Sequence, residues 1–175
     1  MRSRRRAAGT TSGASIDEIE VVCRARYGAY LRVAVGIVGE LELGRDAVQE
    51  AFATAIVRRG EFRSDGPIEA WLWRIVSNAA LAVARRRREQ PLPPEWVELV
   101  PSAGGAEGGQ GEVVRALVAG LPERQRLVLF LHYYADLDYE TIARVLGITE
   151  GTVAATLAAG RAKLHRLLEV PDGRC

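Results

Sequence analysis

One stretch of the chain combines the side-chain types that hold single-stranded nucleic acid. On a helix that begins after Pro67, Trp71, Arg74, Asn78 and Arg85 fall on one arc, since residues three or four apart share a helix face. An indole offers a stacking surface for a base, a guanidinium pairs with phosphate, and an amide can hydrogen-bond a base edge. An unbroken run of basic residues continues this strip at Arg86, Arg87 and Arg88.

A second interpretation of the same residues stays open at this point. Trp71 and Trp73 could be core or hinge residues, and the arginines could be a solvated helix end that the helix macrodipole favours. The apolar face beside the strip is predicted to be core in either case, and it comprises Leu72, Ile75, Val76, Ala79 and Val83.

Another candidate for chemistry with DNA lies near the end of the chain, in the segment DYETIARVLGITEGTVAATLAAGRAKL. Asp138 can cap a helix that runs to Leu146, Gly147 can supply the turn, and Thr149 can cap the next helix. A small residue at Ala143 permits a close and steep crossing of the two helices. The spacing predicts a helix-turn-helix of the kind that reads DNA, with an ordinary helical hairpin as the alternative.

The second helix of this motif is unusual for a DNA reader. Its outward positions are small residues that offer a base no hydrogen bond beyond apolar contact with thymine methyls, namely Gly151, Ala154, Ala155, Ala158 and Ala162. Candidate phosphate contacts, which position a protein without reading sequence, are Arg144, Thr152, Arg161, Lys163 and Arg166.

The elements that must position these residues are helical. The 175 residues are 48% hydrophobic, 26% charged and 6% aromatic, a mixture that favours helices over sheets. We predict an all-α fold of two small helical domains joined by a flexible linker, the C-terminal one a helix-turn-helix four-helix bundle. The boundaries are a disordered basic tail at 1–15, a first domain at 16–88, a Pro- and Gly-rich linker at 89–111, a second domain at 112–169 and a tail at 170–175.

Composition excludes several other classes. Net charge is +2, so local basic patches matter more than the total. Cys23 and Cys175 have no metal-ligand or redox spacing, and no apolar run approaches the length of a membrane span. We therefore expect a cytoplasmic protein without metal or cofactor and without membrane insertion. Cys23 as a redox sensor stays open beside the commoner buried cysteine.

The two motif regions together resemble the extracytoplasmic-function family of RNA polymerase sigma factors. The segment GRDAVQEAFATAIVRRGEF, followed by EAWLWRIVSNAALAVARRRR, is similar to the family's N-terminal domain, called region 2. The segment LPERQRLVLFLHYYADLDYETIARVLGITEGTVAATLAAGRAKL is similar to its C-terminal domain, called region 4. The resemblance implies a promoter-reading subunit of RNA polymerase and not an enzyme.

The resemblance also implies roles for particular residues. Contact with polymerase would involve Asp46, Gln49 and Glu50, which share one face of the preceding helix while Val48, Phe52 and Ile56 point to the core. Recognition and melting of the promoter's −10 element would involve Trp71, Arg74, Asn78, Arg85, Arg86, Arg87 and Arg88. Binding of the −35 element would involve Arg144, Thr149, Glu150, Thr152, Ala155, Arg161 and Lys163.

The implied partners are core RNA polymerase, through the clamp helices of its largest subunit and its flap region, together with promoter DNA and an anti-sigma factor. The small outward residues of the second helix, Gly151, Ala154, Ala155, Ala158 and Ala162, are called the alanine face below. This face suggests an activator as a further partner. The alternative function is then a sigma-like regulator that binds polymerase but needs the activator to recognise promoters. Two other classes explain the sequence less well. A response-regulator output domain leaves the strip at Trp71 unexplained, and for an enzyme the sequence has no P-loop or nucleophile elbow.

Overall fold

The structure, a computed structural model, describes residues 13–89 and 117–169. Most of the predicted linker and tails, residues 1–12, 90–111 and 170–175, lies outside the described residues. The α-helices are α1 (Ile16–Val38), α2 (Leu41–Val57), α3 (Ile68–Glu89), α4 (Glu123–Tyr133), α5 (Tyr139–Leu146) and α6 (Glu150–Glu169), with a short 3-10 turn at Arg59–Glu61. The described residues contain no strand, as an all-α fold requires.

The first three helices pack on one another as an N-terminal bundle, residues 13–89. Helix α1 begins at a capping box in which the Ser15 hydroxyl accepts from the Glu18 N–H and the Glu18 carboxylate accepts from the Ser15 N–H. This arrangement satisfies two N–H groups that the first turn leaves without partners. Residues 13–15 belong to this bundle and not to the predicted tail, because buried Ala14 donates its N–H to the Arg59 carbonyl at 2.9 Å.

Glycines at 39 and 44 predict a helix break over 39–44, but the break between α1 and α2 is shorter. Gly39 ends α1 in the left-handed conformation at φ 85°, and α2 begins at Leu41, so Gly44 lies within a helix instead of a turn. A methyl group at Gly44 would lie 2.5 Å from the Val35 side chain. Gly44 therefore allows α1 and α2 to approach closely, which is a packing reason for glycine that the sequence alone did not distinguish from a turn.

The last three helices pack together as a C-terminal bundle, residues 117–169. The predicted start and stop signals of the helix-turn-helix are confirmed. Asp138 accepts from the Thr141 N–H at 2.8 Å, Gly147 ends α5 at φ 66°, and the Thr149 hydroxyl accepts from the Thr152 N–H at 3.2 Å. Of the four predicted helices, the one before α4 is described only at residues 117–119.

The two bundles also pack against each other, which the sequence did not predict. Helix α1 contacts α4, and α3 contacts α5. At the first contact a methyl group on Gly36 would lie 2.5 Å from ring atoms of Phe130. In addition, Arg85 of α3 pairs with Glu123 at the start of α4, 2.8 Å apart.

Within the described ranges, no single helix is long and apolar enough to cross a membrane. Helices α5 and α6 meet those criteria only as a pair, across a 101° bend.

Candidate nucleic-acid interface

The nucleic-acid strip predicted from the sequence lies on the exposed side of α3. We call Trp71, Arg74, Asn78 and Arg85 the α3 strip. Arg74, Asn78 and Arg85 are exposed, and Trp71 is half-buried. The structure thus brings together an aromatic ring, two guanidinium groups and an amide along one helix face, as the 3.6-residue period requires.

A cleft at the start of the α3 strip was missed by sequence reasoning. Its volume is about 620 Å³, and its walls include Trp71, Arg74, Phe62 and Arg63. The Phe62 and Trp71 rings pack with centroids 5.6 Å apart, which fixes the indole at the edge of the cleft. An aromatic and an arginine just before the Ser-Asp-Gly-Pro turn were the available signal. Both suit a site that receives an unstacked base beside phosphate.

The two tryptophans that the sequence left ambiguous have different surroundings. Trp73 is fully buried, and its ring centroid lies 4.3 Å from that of Tyr30, which is also fully buried. Trp73 is therefore a core residue of the N-terminal bundle. Trp71, at the cleft, keeps part of its ring accessible to solvent.

The arginine run at the end of α3 is held by acidic residues of other elements. Arg85 pairs with Glu123 at 2.8 Å, Arg86 with Glu50 at 3.2 Å, and Arg87 with Glu40 at 3.2 Å. These pairs are exposed, and exposed pairs contribute about 0–1 kcal/mol each, so exchange of a carboxylate for a DNA phosphate costs little. Arg88 belongs to the same helix.

The predicted polymerase face lies on α2. Asp46, Gln49 and Glu50 are all exposed there, on the side opposite buried Val48. The expectation that Ile56 points to the core is wrong, since Ile56 is 41% exposed. Helix α2 ends at Val57, and Ala55 in its last turn is fully buried, so Ile56 lies on the side of that turn that faces away from the core.

The outward face of α6 is as poor in polar groups as the sequence indicates. Ala155 and Ala158 are exposed, whereas Val153 and Leu157 are buried in the C-terminal bundle. Thr149 and Glu150, at the start of α6, are also exposed, and Thr152 is half-buried. Three basic candidates of α5 and α6 have partners. Arg144 pairs with Glu140 of the same helix at 2.7 Å, Lys163 donates to the Gly120 carbonyl at 3.2 Å, and Arg161 donates to the Tyr133 hydroxyl at 3.5 Å.

The α5 cap gives a pH-dependent prediction. The hydrogen bonds from Thr141 hold the pKa of the Asp138 carboxyl below its usual value. A depressed pKa contributes stability that is present above the carboxyl's unfolded pKa and is lost as pH falls through the folded one. Asp138→Ala should lower Tm at pH 7 by roughly 4 °C, and the difference from wild type should shrink in acid.

Thermal unfolding followed by circular dichroism between pH 7 and pH 3 measures this effect. Asp138→Asn is the control, because asparagine caps helices as well as aspartate but does not titrate. A Tm difference between Asp138→Ala and wild type that stays constant across that range would contradict the cap's role.

Cys23 has the environment of a packing residue. It is half-buried in α1 against the core, and burial raises the pKa of its thiol to about 11. Since the thiolate is the reactive form, a thiol with that pKa reacts slowly at neutral pH. The redox-sensor interpretation gains no support from these surroundings.

Two family descriptions match the chain, one on each bundle. Sigma-70 region 2 matches residues 24–90, and Sigma-70, region 4 matches residues 111–164. The first match contains the α2 face and the α3 strip. The second contains the helix-turn-helix.

Individual proteins similar to this chain are also RNA polymerase sigma factors. The ECF RNA polymerase sigma factor SigM of Mycobacterium tuberculosis is 38% identical over 124 residues, which are 70% of this chain and 63% of that protein. The RNA polymerase sigma-H factor of Pseudomonas aeruginosa is 30% identical over 158 residues, covering 79% of this chain and 80% of that protein. The chain thus spans 63% of the length of its SigM relative.

A solved structure has the same fold. The sigma factor RpoE from Bartonella quintana, in complex with the anti-sigma factor NepR, superposes with a TM-score of 0.64 at 22% identity. The match covers 89% of this chain and 96% of that one.

Proposed function

Because this chain belongs to the extracytoplasmic-function family of RNA polymerase sigma factors, we propose that it binds core RNA polymerase and directs promoter-specific transcription initiation. The observation that carries the proposal is the presence, on one chain, of an exposed aromatic and cationic strip on α3 and a capped helix-turn-helix at α5 and α6. A response-regulator output domain would account for the second feature alone. We propose that it acts in the cytoplasm, because its proposed partners, core polymerase and chromosomal DNA, are located there.

The proposed polymerase contact is the α2 face formed by Asp46, Gln49 and Glu50. The support for this assignment is the family resemblance, in which the corresponding helix docks on the clamp helices of the polymerase's largest subunit, together with the exposure of all three side chains. The C-terminal bundle would contact the flap region. Glu50 also pairs with Arg86 at 3.2 Å, so polymerase binding at α2 and DNA binding at the end of α3 share an electrostatic link.

The proposed role of the α3 strip is to capture −10 bases after they leave the duplex. Trp71 would stack on a base at the cleft, and Asn78 would hydrogen-bond a base edge. Arg74 and the run Arg85, Arg86, Arg87 and Arg88 would hold the backbone. Strand separation follows because the protein stabilises unstacked bases that the duplex otherwise reclaims.

The proposed −35 contact is the start and outward face of α6, with Arg144 of α5. Thr149, Glu150, Thr152 and Ala155 lie at the start of that face, and the basic positions Arg161 and Lys163 follow. Because alanines read only thymine methyls, we propose relaxed −35 recognition. An activator that binds the alanine face or the upstream DNA would then supply the sequence specificity that the −35 contact lacks.

An anti-sigma factor is a further proposed partner. The support for it is the similarity in fold to RpoE, which was solved in complex with the anti-sigma factor NepR.

The test is reconstitution with core RNA polymerase. Core binding is measured first by native gel mobility, and run-off transcription on genomic promoter fragments is measured second, each with and without this protein. Specific initiation supports a self-sufficient sigma factor. Binding to core without initiation supports the activator-dependent alternative, and the absence of core binding would exclude both.

The alanine face gives a separate prediction. Ala155→Glu together with Ala158→Glu should lower activator-dependent transcription about tenfold, since a buried carboxylate without a partner costs on the order of 1–3 kcal/mol at an interface. Transcription is measured with and without a cell extract that supports initiation. The control replaces the same alanines with glutamine, which adds similar bulk without charge. Equal transcription by the glutamate variant and wild type would contradict the proposal that an activator binds this face.

A further inference from the structure

We infer that the free chain closes on itself, with the C-terminal bundle packed beside the α3 strip, so that closure and −10 recognition compete for the same residues. The closed form itself rests on the contacts between bundles. Its effect on DNA rests on the function proposed above.

The first contact joins the end of α1 to α4 and depends on a glycine. A methyl group on Gly36 would lie 2.5, 2.5 and 2.8 Å from three ring atoms of Phe130, far inside normal carbon contact. Phe130 is buried, and its ring packs edge-on against Tyr134 with centroids 5.2 Å apart. The ring therefore rests directly on the α1 backbone, and only glycine leaves room for it.

The second contact occupies a member of the α3 strip. Arg85 donates to Glu123 at 2.8 Å, where the Glu123 side chain is 26% exposed and that of Arg85 is 61% exposed. Glu123 lies in the first turn of α4, and a carboxylate there is favoured by the helix dipole. An arginine that faces this carboxylate has to leave it before it can neutralise a DNA phosphate.

The third contact faces the centre of the α3 strip. A groove of about 460 Å³ has Arg74 and Asn78 on one wall and Leu146, Gly147 and Ile148 on the other. The turn of the helix-turn-helix thus lies opposite the amide proposed to read a base. Arg144 also lines the cleft beside Trp71, and a methyl group on Gly66 would lie 3.1 Å from its Cδ.

The closed arrangement treats the two DNA-binding surfaces differently. Ala155 and Ala158 on the outward face of α6 are exposed and take no part in the three contacts above. Most of the α3 strip is exposed as well, but Arg85 is paired with Glu123, and Leu146, Gly147 and Ile148 lie across a narrow groove from Asn78. A nucleic-acid strand therefore has to displace the C-terminal bundle to lie along the α3 strip. A single-stranded −10 oligonucleotide should therefore respond to opening of the chain. A −35 duplex should respond little.

The strength of the contact suits a reversible closure. The ion pair between Arg85 and Glu123 is partly exposed, and such pairs are weak and screened by salt. The groove beside it is open, unlike the close-packed interior of a permanent interface. Among the described contacts between the two bundles, the packing of Phe130 on Gly36 leaves the least room for an added methyl group, so a substitution at Gly36 should disturb closure most.

The decisive variant is Gly36→Ala in the full chain, with Gly28→Ala as its matched control. Both glycines lie in α1, and both substitutions raise helix propensity equally. A methyl group at Gly28 meets only Arg32 Nη1, at an ordinary 3.4 Å. We expect the radius of gyration from small-angle X-ray scattering to rise for Gly36→Ala and to stay at the wild-type value for Gly28→Ala, with helical circular dichroism unchanged in both.

Binding of fluorescent DNA tests the consequence. If the open form is about a tenth of the free chain, Gly36→Ala should bind a single-stranded −10 oligonucleotide about tenfold more tightly than wild type, with little change for a −35 duplex. A Gly36→Ala chain that stays as compact as wild type would overturn the closed form. An open chain whose oligonucleotide affinity equals that of wild type would overturn the competition.

The same oligonucleotide is also offered to each variant assembled with core polymerase. Binding by that assembly, without binding by the free Gly36→Ala chain, counts against the competition. Absence of binding even with core polymerase counts against the proposed −10 function, while the scattering measurement still decides whether the chain closes.

Discussion

Trp73→Ala is expected to lower the free energy of unfolding of the N-terminal bundle by about 3–5 kcal/mol, the usual cost of removing a buried tryptophan. Trp73 is fully buried beside Tyr30, and Tyr30 packs in turn on Phe52 with centroids 5.7 Å apart. The large cavity would lie where all three helices meet. Since natural domains have only about 5–15 kcal/mol of stability, this variant should lose a large share of it, and a larger fraction of the chain should be unfolded at 37 °C.

Urea unfolding followed by circular dichroism measures the loss. Trp73→Phe should lose clearly less, because it keeps most of the ring and removes an indole N–H that has no hydrogen-bond partner among the described residues. Trp71→Ala, two positions away at the half-buried cleft, should also lose less stability while weakening DNA binding. Equal destabilisation by Trp71→Ala and Trp73→Ala would contradict the separate roles assigned to these tryptophans.

Local signals made the helix-turn-helix predictable from sequence. Asp138, Gly147 and Thr149 act through hydrogen bonds and dihedral angles within four residues of themselves, so their side-chain chemistry is sufficient to set them. The start of α1 at Ile16 follows in the same way from the capping box at Ser15. The relative order of helices and the exposed α3 strip follow from the helical period.

Features set by contacts between distant segments were not predictable in this way. From sequence alone, Gly44 cannot be distinguished from a glycine in a turn. Its close approach to Val35 shows why a glycine is needed inside the helix. The arginine run was predicted to face phosphate, but its partners Glu40, Glu50 and Glu123 come from segments far away in sequence. Phe130 packs on Gly36, and the local sequence around either residue gives no indication that the two are in contact.

Asn78→Ala and Gln49→Ala should disable different steps of initiation, although both truncate an exposed amide on a helix of the N-terminal bundle. Asn78→Ala removes a proposed base-edge contact, which is typically worth about 1–3 kcal/mol. Open-complex formation, measured by permanganate reactivity of −10 thymines, should fall roughly 10- to 100-fold. Gln49→Ala should instead weaken binding to core polymerase, measured by native gel mobility.

Protein concentration separates the two defects. Excess Gln49→Ala protein should restore open complexes, because a higher concentration of the variant saturates core polymerase despite its weaker binding. Excess Asn78→Ala should not, since the holoenzyme is already formed and the lost contact lies with the melted strand. Alanine has higher helix propensity than either amide, so neither variant should unfold more easily than wild type. If excess protein rescued both variants alike, Asn78 would belong to polymerase binding, and the α3 strip would have to be reassigned from −10 recognition to assembly of the holoenzyme.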